Sequence, residues 1–248
     1  GASGYGPLRP VKDESTGLPL LKLPEGFRYV SFGWTQSRMD NGLPTPGSHD
    51  GMGIVRESPT AITLIRNHER TLAAQRFAPE QDYWDPEGAG GCTAVTFNPQ
   101  TEKWVSARPV FAGSVRNCAG GTTPWGSWLT CEETVFGPAS ISDRKPLPLQ
   151  KDHGWIFEVR PDGKEAPVPL KDMGRFVHEA VAVDPESGIV YETEDRETAG
   201  FYRFIPHRPG KLAKGGRLQM LKAAGQSDLR KGLKIGQTFD VSWVDIED

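Results

Sequence analysis

Long apolar runs are absent from this 248-residue chain: nothing approaches the roughly 20 consecutive apolar residues that span a bilayer, and Gly1 to Pro10 lack the charged and apolar stretches of a signal peptide. No membrane span is expected. Excess positive charge is missing too, with 29 Lys and Arg against 32 Asp and Glu and a formal net charge of -3, which argues against a nucleic-acid partner. Cysteine is scarce. Cys92, Cys118 and Cys131 allow at most one disulfide and leave a thiol over, and nothing in the sequence supports a bridge between Cys92 and Cys131. The chain also has no Gly-x-Ser-x-Gly elbow and no Ser-His-Asp arrangement, and no lysine follows Cys118-Ala119-Gly120-Gly121-Thr122-Thr123 as a P-loop requires. Side-chain nucleophiles and P-loop chemistry are thereby disfavoured.

What is abundant is turn-forming sequence. Glycine (29) and proline (21) recur without a collagen-like period, which points to many short strands. Three segments share one scheme, an apolar strand that ends in acids: Ala61 to Glu69, Ser127 to Glu133 and Ile189 to Asp195. Each follows a second shared element, namely His49-Asp50-Gly51-Met52, Asn117-Cys118-Ala119-Gly120-Gly121 and His178-Glu179-Ala180. Each precedes an alternating strand opened by glycine, at Gly91, Gly154 and Gly200. A period near 60 residues with about four strands, and turns such as Pro161-Asp162-Gly163 and Asp184 to Gly188, matches a β-propeller blade carrying insertions. A β-sandwich would also give many strands, but it gives no reason for acids to recur at one point of every unit. Phe239 to Ile246 resembles Arg175 to Ala182, so a fourth unit is expected to begin there as an inner strand. The expectation is a single all-β propeller domain over residues 1–248, supplying about three and a half blades and incomplete at its C-terminus.

In a propeller, equivalent strand ends converge at one mouth of the central channel. Asp50, Glu69, Glu132, Glu133, Glu179, Glu194 and Asp195 would then stand close together, and cations are the simplest relief of their repulsion. Carboxylates suit calcium, magnesium, manganese or ferric iron, whereas the thiolate of Cys118 suits iron or zinc. The neighbouring His49, His68 and His178 are expected to support the acids rather than to ligate, because alternation turns adjacent residues to opposite faces. Cys92, Cys131, Trp125, Trp128 and Trp155 read as packing.

The stretches His49 to Met52, Arg66-Asn67-His68-Glu69, Asn117 to Gly121, Thr123 to Glu133 and Gly200-Phe201-Tyr202-Arg203-Phe204 together resemble the PhoX alkaline phosphatase family, as do Gly4-Tyr5-Gly6-Pro7-Leu8 and Leu23 to Phe27. The resemblance implies a six-bladed β-propeller, export to the periplasm or outside the cell by a twin-arginine signal that this chain does not contain, and an iron and calcium cluster hydrolysing phosphate monoesters. By position Cys118 is similar to the family's iron-binding cysteine, Glu133 and Glu179 match acidic cluster ligands, and Glu69 and Asp195 fall on calcium. The implied chemistry is metal-assisted phosphoryl transfer with a metal-bound hydroxide or oxide as nucleophile. The remaining ligands and the basic residues that hold phosphate are implied for a C-terminal half that is missing here or supplied by another chain. Two other functions stay open: a propeller hydrolase with a different substrate, and a non-catalytic, calcium-stabilised propeller fragment.

Overall fold

The computed structural model describes residues 4–72 and 75–246, so the opening Gly1-Ala2-Ser3 lies outside the described residues. Among these, every extended element is a β-strand, and helix is limited to single 3₁₀ turns at Glu80–Asp82, Lys171–Met173 and Leu212–Lys214. Among the described residues no helix is long and apolar enough to cross a membrane.

A short antiparallel pair, β1 (Arg9–Val11) and β2 (Leu21–Leu23), precedes three larger sheets. The first sheet runs in chain order: β3 (His49–Ser58), β4 (Ala61–His68), β5 (Gly90–Asn98) and β6 (Lys103–Ser114). The second is built on β7 (Asn117–Thr122) and β8 (Trp128–Glu132), with a small β9 (Ile141–Ser142) and β10 (Lys145–Pro146) pair inserted before its third strand, β11 (Ile156–Val159). The third sheet is the meander β12 (His178–Val183), β13 (Val190–Glu194), β14 (Phe201–Pro206), β15 (Gly216–Ala223) and β16 (Val241–Asp245). All pairings within these sheets are antiparallel. The three repeats read from the sequence are thus three meander sheets.

Local chemistry explains the strand breaks. Asp184 accepts the backbone N–H groups of Glu186 and Ser187, and Gly188 sits at φ 73° to close the β12 to β13 turn. The sheets then pack face to face. Val55, Ile65, Phe111, Trp128, Phe157 and Val159 fill the seam between the first and second sheets, and Leu129, Ile156, Met173, Val181 and Phe204 that between the second and third. Burying each large side chain contributes roughly 1.5–3 kcal/mol. Cys92 and Cys131 are fully buried in these seams, and all three cysteines are free thiols.

The first strands of the three sheets lie side by side, with β7 between β3 and β12. Small residues permit this approach. A Cβ on Gly51 would sit 2.9 Å from the Cys118 carbonyl oxygen, and one on Gly121 would sit 2.2 Å from the Val181 carbonyl oxygen. Each first strand is also bulged near its start, between His49 and Met52, Asn117 and Gly120, and His178 and Val181.

One expectation fails. The segment Phe239 to Ile246 does not open a new sheet as an inner strand; Val241–Asp245 pairs with β15 as the fifth and outermost strand of the third sheet. Its likeness to Arg175 to Ala182 reflects alternation common to any half-exposed strand.

Candidate metal centre

The bulges place the candidate ligands. An extra residue in a strand breaks the ladder locally and re-aims a side chain, and Asp50, Cys118 and Glu179 each lie in the bulged stretch of their own first strand. A second set comes from the residue that follows the second strand of each sheet. Glu69, Glu133 and Asp195 donate their backbone N–H groups to the carbonyls of Ser48, Arg116 and Val177, at 2.8, 2.9 and 3.0 Å. These bonds make the three positions structurally equivalent.

Cys118, Glu133 and Glu179 converge, with one ligand atom from each lying within 4.8 Å of the others. Cys118 Sγ is 3.8 Å from Glu179 Oε2. Asp50, Glu69 and Asp195 stand around this core, close enough for their charges to act on it. Burial, reinforced by Glu179, Glu133 and Asp50, pushes the Cys118 thiol far above its ordinary value. Burial and a hydrogen bond shared with Asp195 push Glu133 up to about 7. Burial and the charge of Asp195 raise Glu179 as well. All three groups therefore resist ionising without an added cation. The donor set fits one: a thiol and carboxylates crowded together, with Arg116 the one cation ion-paired to these acids among the described residues.

Two of the expected ligands are not brought to the cluster. Glu132 is fully buried on the opposite face of β8, where it accepts the N–H groups of Val115, Gly154 and Trp155 and a ring N–H of His153. Glu194 accepts hydrogen bonds from the Gly200 N–H and the Tyr202 hydroxyl. The physical reason is shared. Glu132 faces Asn117 and Glu194 faces His178 across equivalent ladder positions, so each points away from the site that its following residue, Glu133 or Asp195, approaches.

The histidines support the strands. His49 bonds the Pro46 carbonyl, His68 lies between the Gly47 carbonyl and Thr93, and His178 bonds the Gly174 carbonyl. Burial pushes His68 down to about 3 and His178 to about 4, so both rings are neutral. Trp125, Trp128 and Trp155 pack in or against the seams.

Sequence reasoning missed two supports. Asn67 is fully buried, and its amide donates to the carbonyls of Cys118 and Ala119 at 3.1 and 2.8 Å, while its oxygen accepts from Trp128 Nε1, Thr130 Oγ1 and Cys92 Sγ. It pins the β7 bulge that carries Cys118. Its position in an apolar strand, where asparagine is unfavourable, was the available signal. Glu192, one alternation before Glu194, is fully buried near His178 Nδ1 at 3.6 Å, and neither of its oxygens finds a hydrogen-bond partner among the described residues. Burial raises its carboxyl well above the usual range.

The chain matches no curated protein. Among solved structures it resembles Pseudomonas fluorescens PhoX in complex with vanadate, a transition state analogue, at 19% identity and a TM-score of 0.55, over 78% of this chain and 51% of that one. At that identity the likeness is one of fold, and this chain spans about half the length of that neighbour. The family model described as Alkaline phosphatase PhoX matches residues 3–111 and 108–248, essentially end to end, and the chain therefore belongs to the PhoX alkaline phosphatase family.

Proposed function

We propose that this chain contributes half of a metal-dependent phosphatase site that hydrolyses phosphate monoesters at an iron and calcium cluster in the channel of a six-bladed β-propeller. The observation that carries the reading is the convergence of Cys118, Glu133 and Glu179 at the starts and ends of adjacent sheets, ringed by Asp50, Glu69 and Asp195. The side-by-side first strands support the propeller, with the chain as one domain supplying three of its blades. The vanadate complex of the structural neighbour supports phosphoryl transfer.

Cys118, Glu133 and Glu179 would hold iron, and Asp50, Glu69 and Asp195 calcium. Bound there, these ions would neutralise phosphate oxygens and activate water for in-line attack. The chain's own residues do the positioning: Asn67 fixes the Cys118 and Ala119 carbonyls within the β7 bulge, His49 and His178 tie the starts of β3 and β12 to preceding loops, and His68, at the end of β4, is bonded to the Gly47 carbonyl. Small phosphate esters are the proposed partner class, and membership of the family supports a location outside the cytoplasm.

Cys118→Ser tests the reading, because a hydroxyl matches the thiol in size but is a poorer anionic ligand. In the metal-loaded protein, elemental analysis should find iron lowered and calcium retained, and turnover of p-nitrophenyl phosphate should fall with the iron. Cys92→Ser should cost about 1–3 kcal/mol of stability and leave metal content alone. Full iron in Cys118→Ser would sink the assignment, and calcium without iron in the parent protein would favour a binding module.

A further inference from the structure

The residues just before the three first strands are Ser48, Arg116 and Val177, and all three play the same backbone part. Their carbonyls accept the N–H groups of Glu69, Glu133 and Asp195. Ser48 and Arg116 also share a left-handed conformation, with φ of 51° and 53°. The turn therefore asks for a carbonyl and, in two sheets, for a left-handed residue. Glycine or asparagine meets that demand with less strain than arginine. Serine and valine at the equivalent places show that no guanidinium is needed to build the turn.

Arg116 is nevertheless held firmly. Its N–H donates to the Arg70 carbonyl at 2.8 Å and its carbonyl takes the Glu133 N–H at 2.9 Å, which fixes the backbone at the seam of the first two sheets. Its side chain, 38% exposed, reaches Glu69 Oε1 with Nε and Glu133 Oε2 with Nη2, each at 3.6 Å. Both distances exceed the 2.7–3.2 Å of an N–H···O hydrogen bond. The guanidinium lies beside two candidate ligands without committing its donors to either.

We propose that Arg116 is the residue of this chain that holds and orients the substrate's phosphate, an inference that rests on the metal-dependent phosphatase reading above. A guanidinium carries five N–H donors in a planar fork that matches phosphate oxygens, and two long ion pairs leave that fork open. Glu69 and Glu133 engaged in ligation no longer compete for it. A phosphate dianion entering a ring of Asp50, Glu69, Glu133, Glu179 and Asp195 needs a cationic donor it can reach, and Arg116 is half-exposed at the rim of that ring. The competing account makes Arg116 a brace that only offsets carboxylate charge.

Titration calorimetry with inorganic phosphate on the iron- and calcium-loaded protein separates the two. Arg116→Asn removes the fork, and asparagine tolerates the left-handed backbone, so its denaturation midpoint should match the parent's. It should bind both metals at least as tightly as the parent and phosphate at least tenfold more weakly, with Arg116→Lys in between because a point charge replaces the fork. Unchanged phosphate affinity in metal-loaded Arg116→Asn overturns the inference while the metal reading stands. Lost metal in that variant also overturns it, in favour of the brace. If Arg116→Asn does not fold, Arg116→Lys against the parent carries the same comparison. A parent protein that takes up neither metal overturns the reading on which the inference rests.

Discussion

His153 is fully buried between two carboxylates, with Nδ1 2.6 Å from Glu132 Oε1 and Nε2 3.1 Å from Asp85 Oδ2. Burial alone would lower its pKa, but the hydrogen bonds to Asp85 and Glu132, and then their charges, outweigh burial and raise it to about 9. At neutral pH the ring is therefore an imidazolium joining Asp85, in the loop between β4 and β5, to Glu132 at the end of β8. The ordinary histidine value is 6.5, and at about 1.4 kcal/mol per pKa unit the rise is worth about 3 kcal/mol to the folded state. Because the folded value lies above the unfolded one, that stability is fully present below about pH 6.5 and is lost as pH rises through about 9. The perturbation is His153→Gln, which keeps polarity near both carboxylates and removes the titrating charge. Urea denaturation followed by tryptophan fluorescence suits the assay, because Trp84 packs edge-on against the His153 ring. With chelator present, the variant should be less stable than the parent by about 3 kcal/mol at pH 6.5, and by under about 1 kcal/mol at pH 10. Taking the difference cancels groups that titrate alike in both proteins. A gap that stays constant from pH 6.5 to 10 would show that His153 is not a buried cation and would refute the reasoning.

Asn67→Ala leaves the buried donors of Trp128 and Thr130 without their acceptor; denaturation should show a loss of about 2–4 kcal/mol, and on the proposed metal reading elemental analysis should show a fall in bound metal as the Cys118 bulge loosens. Glu192→Gln should act in the opposite direction. Its folded-state pKa is raised by burial, so the parent is most stable below the unfolded value and loses that contribution as pH rises toward the folded one; the neutral variant should match the parent near pH 4 and exceed its denaturation midpoint at pH 8.

The repeat was legible because equivalent positions in each sheet carry chemically similar residues about 60 apart, and a shared period survives insertions in the loops. Cys118, Glu133 and Glu179 followed from it. What the period could not resolve was the choice within Glu132-Glu133 and Glu194-Asp195. Alternation says that neighbours face opposite ways, but not which one faces the site. That is decided by the ladder register, which pairs Glu132 with Asn117 and Glu194 with His178 and leaves no fixed sequence mark. The strand Val241–Asp245 misled for the same reason: its pattern was readable, while its partner, β15, depends on tertiary pairing. Arg116 was hidden because its role depends on two acids that arrive from strand ends 47 residues before it and 17 after it.

Glu132 and Glu133 show how the fold separates structure from chemistry with one residue type. Glu132 receives three backbone N–H groups and the His153 ring, so its charge is matched inside the protein and it cements two sheets. Glu133, its neighbour, faces Asp195, Glu179 and Glu69, with Arg116 the one cation opposing them among the described residues, at 3.6 Å, and is pushed up to about 7. Had the fold supplied donors to both, the second carboxylate would have been satisfied and would have gained little from a metal. Had it supplied them to neither, the β8 end would carry two unpaired acids at several kcal/mol each. Complete compensation on one face and its near absence on the other is the arrangement that keeps the strand end rigid while holding ligand affinity in reserve. The same division recurs at Glu194, bonded to Gly200 and Tyr202, and Asp195, turned toward Glu133. That two sheets reach it through different donors supports the proposal that the uncompensated set is a metal site.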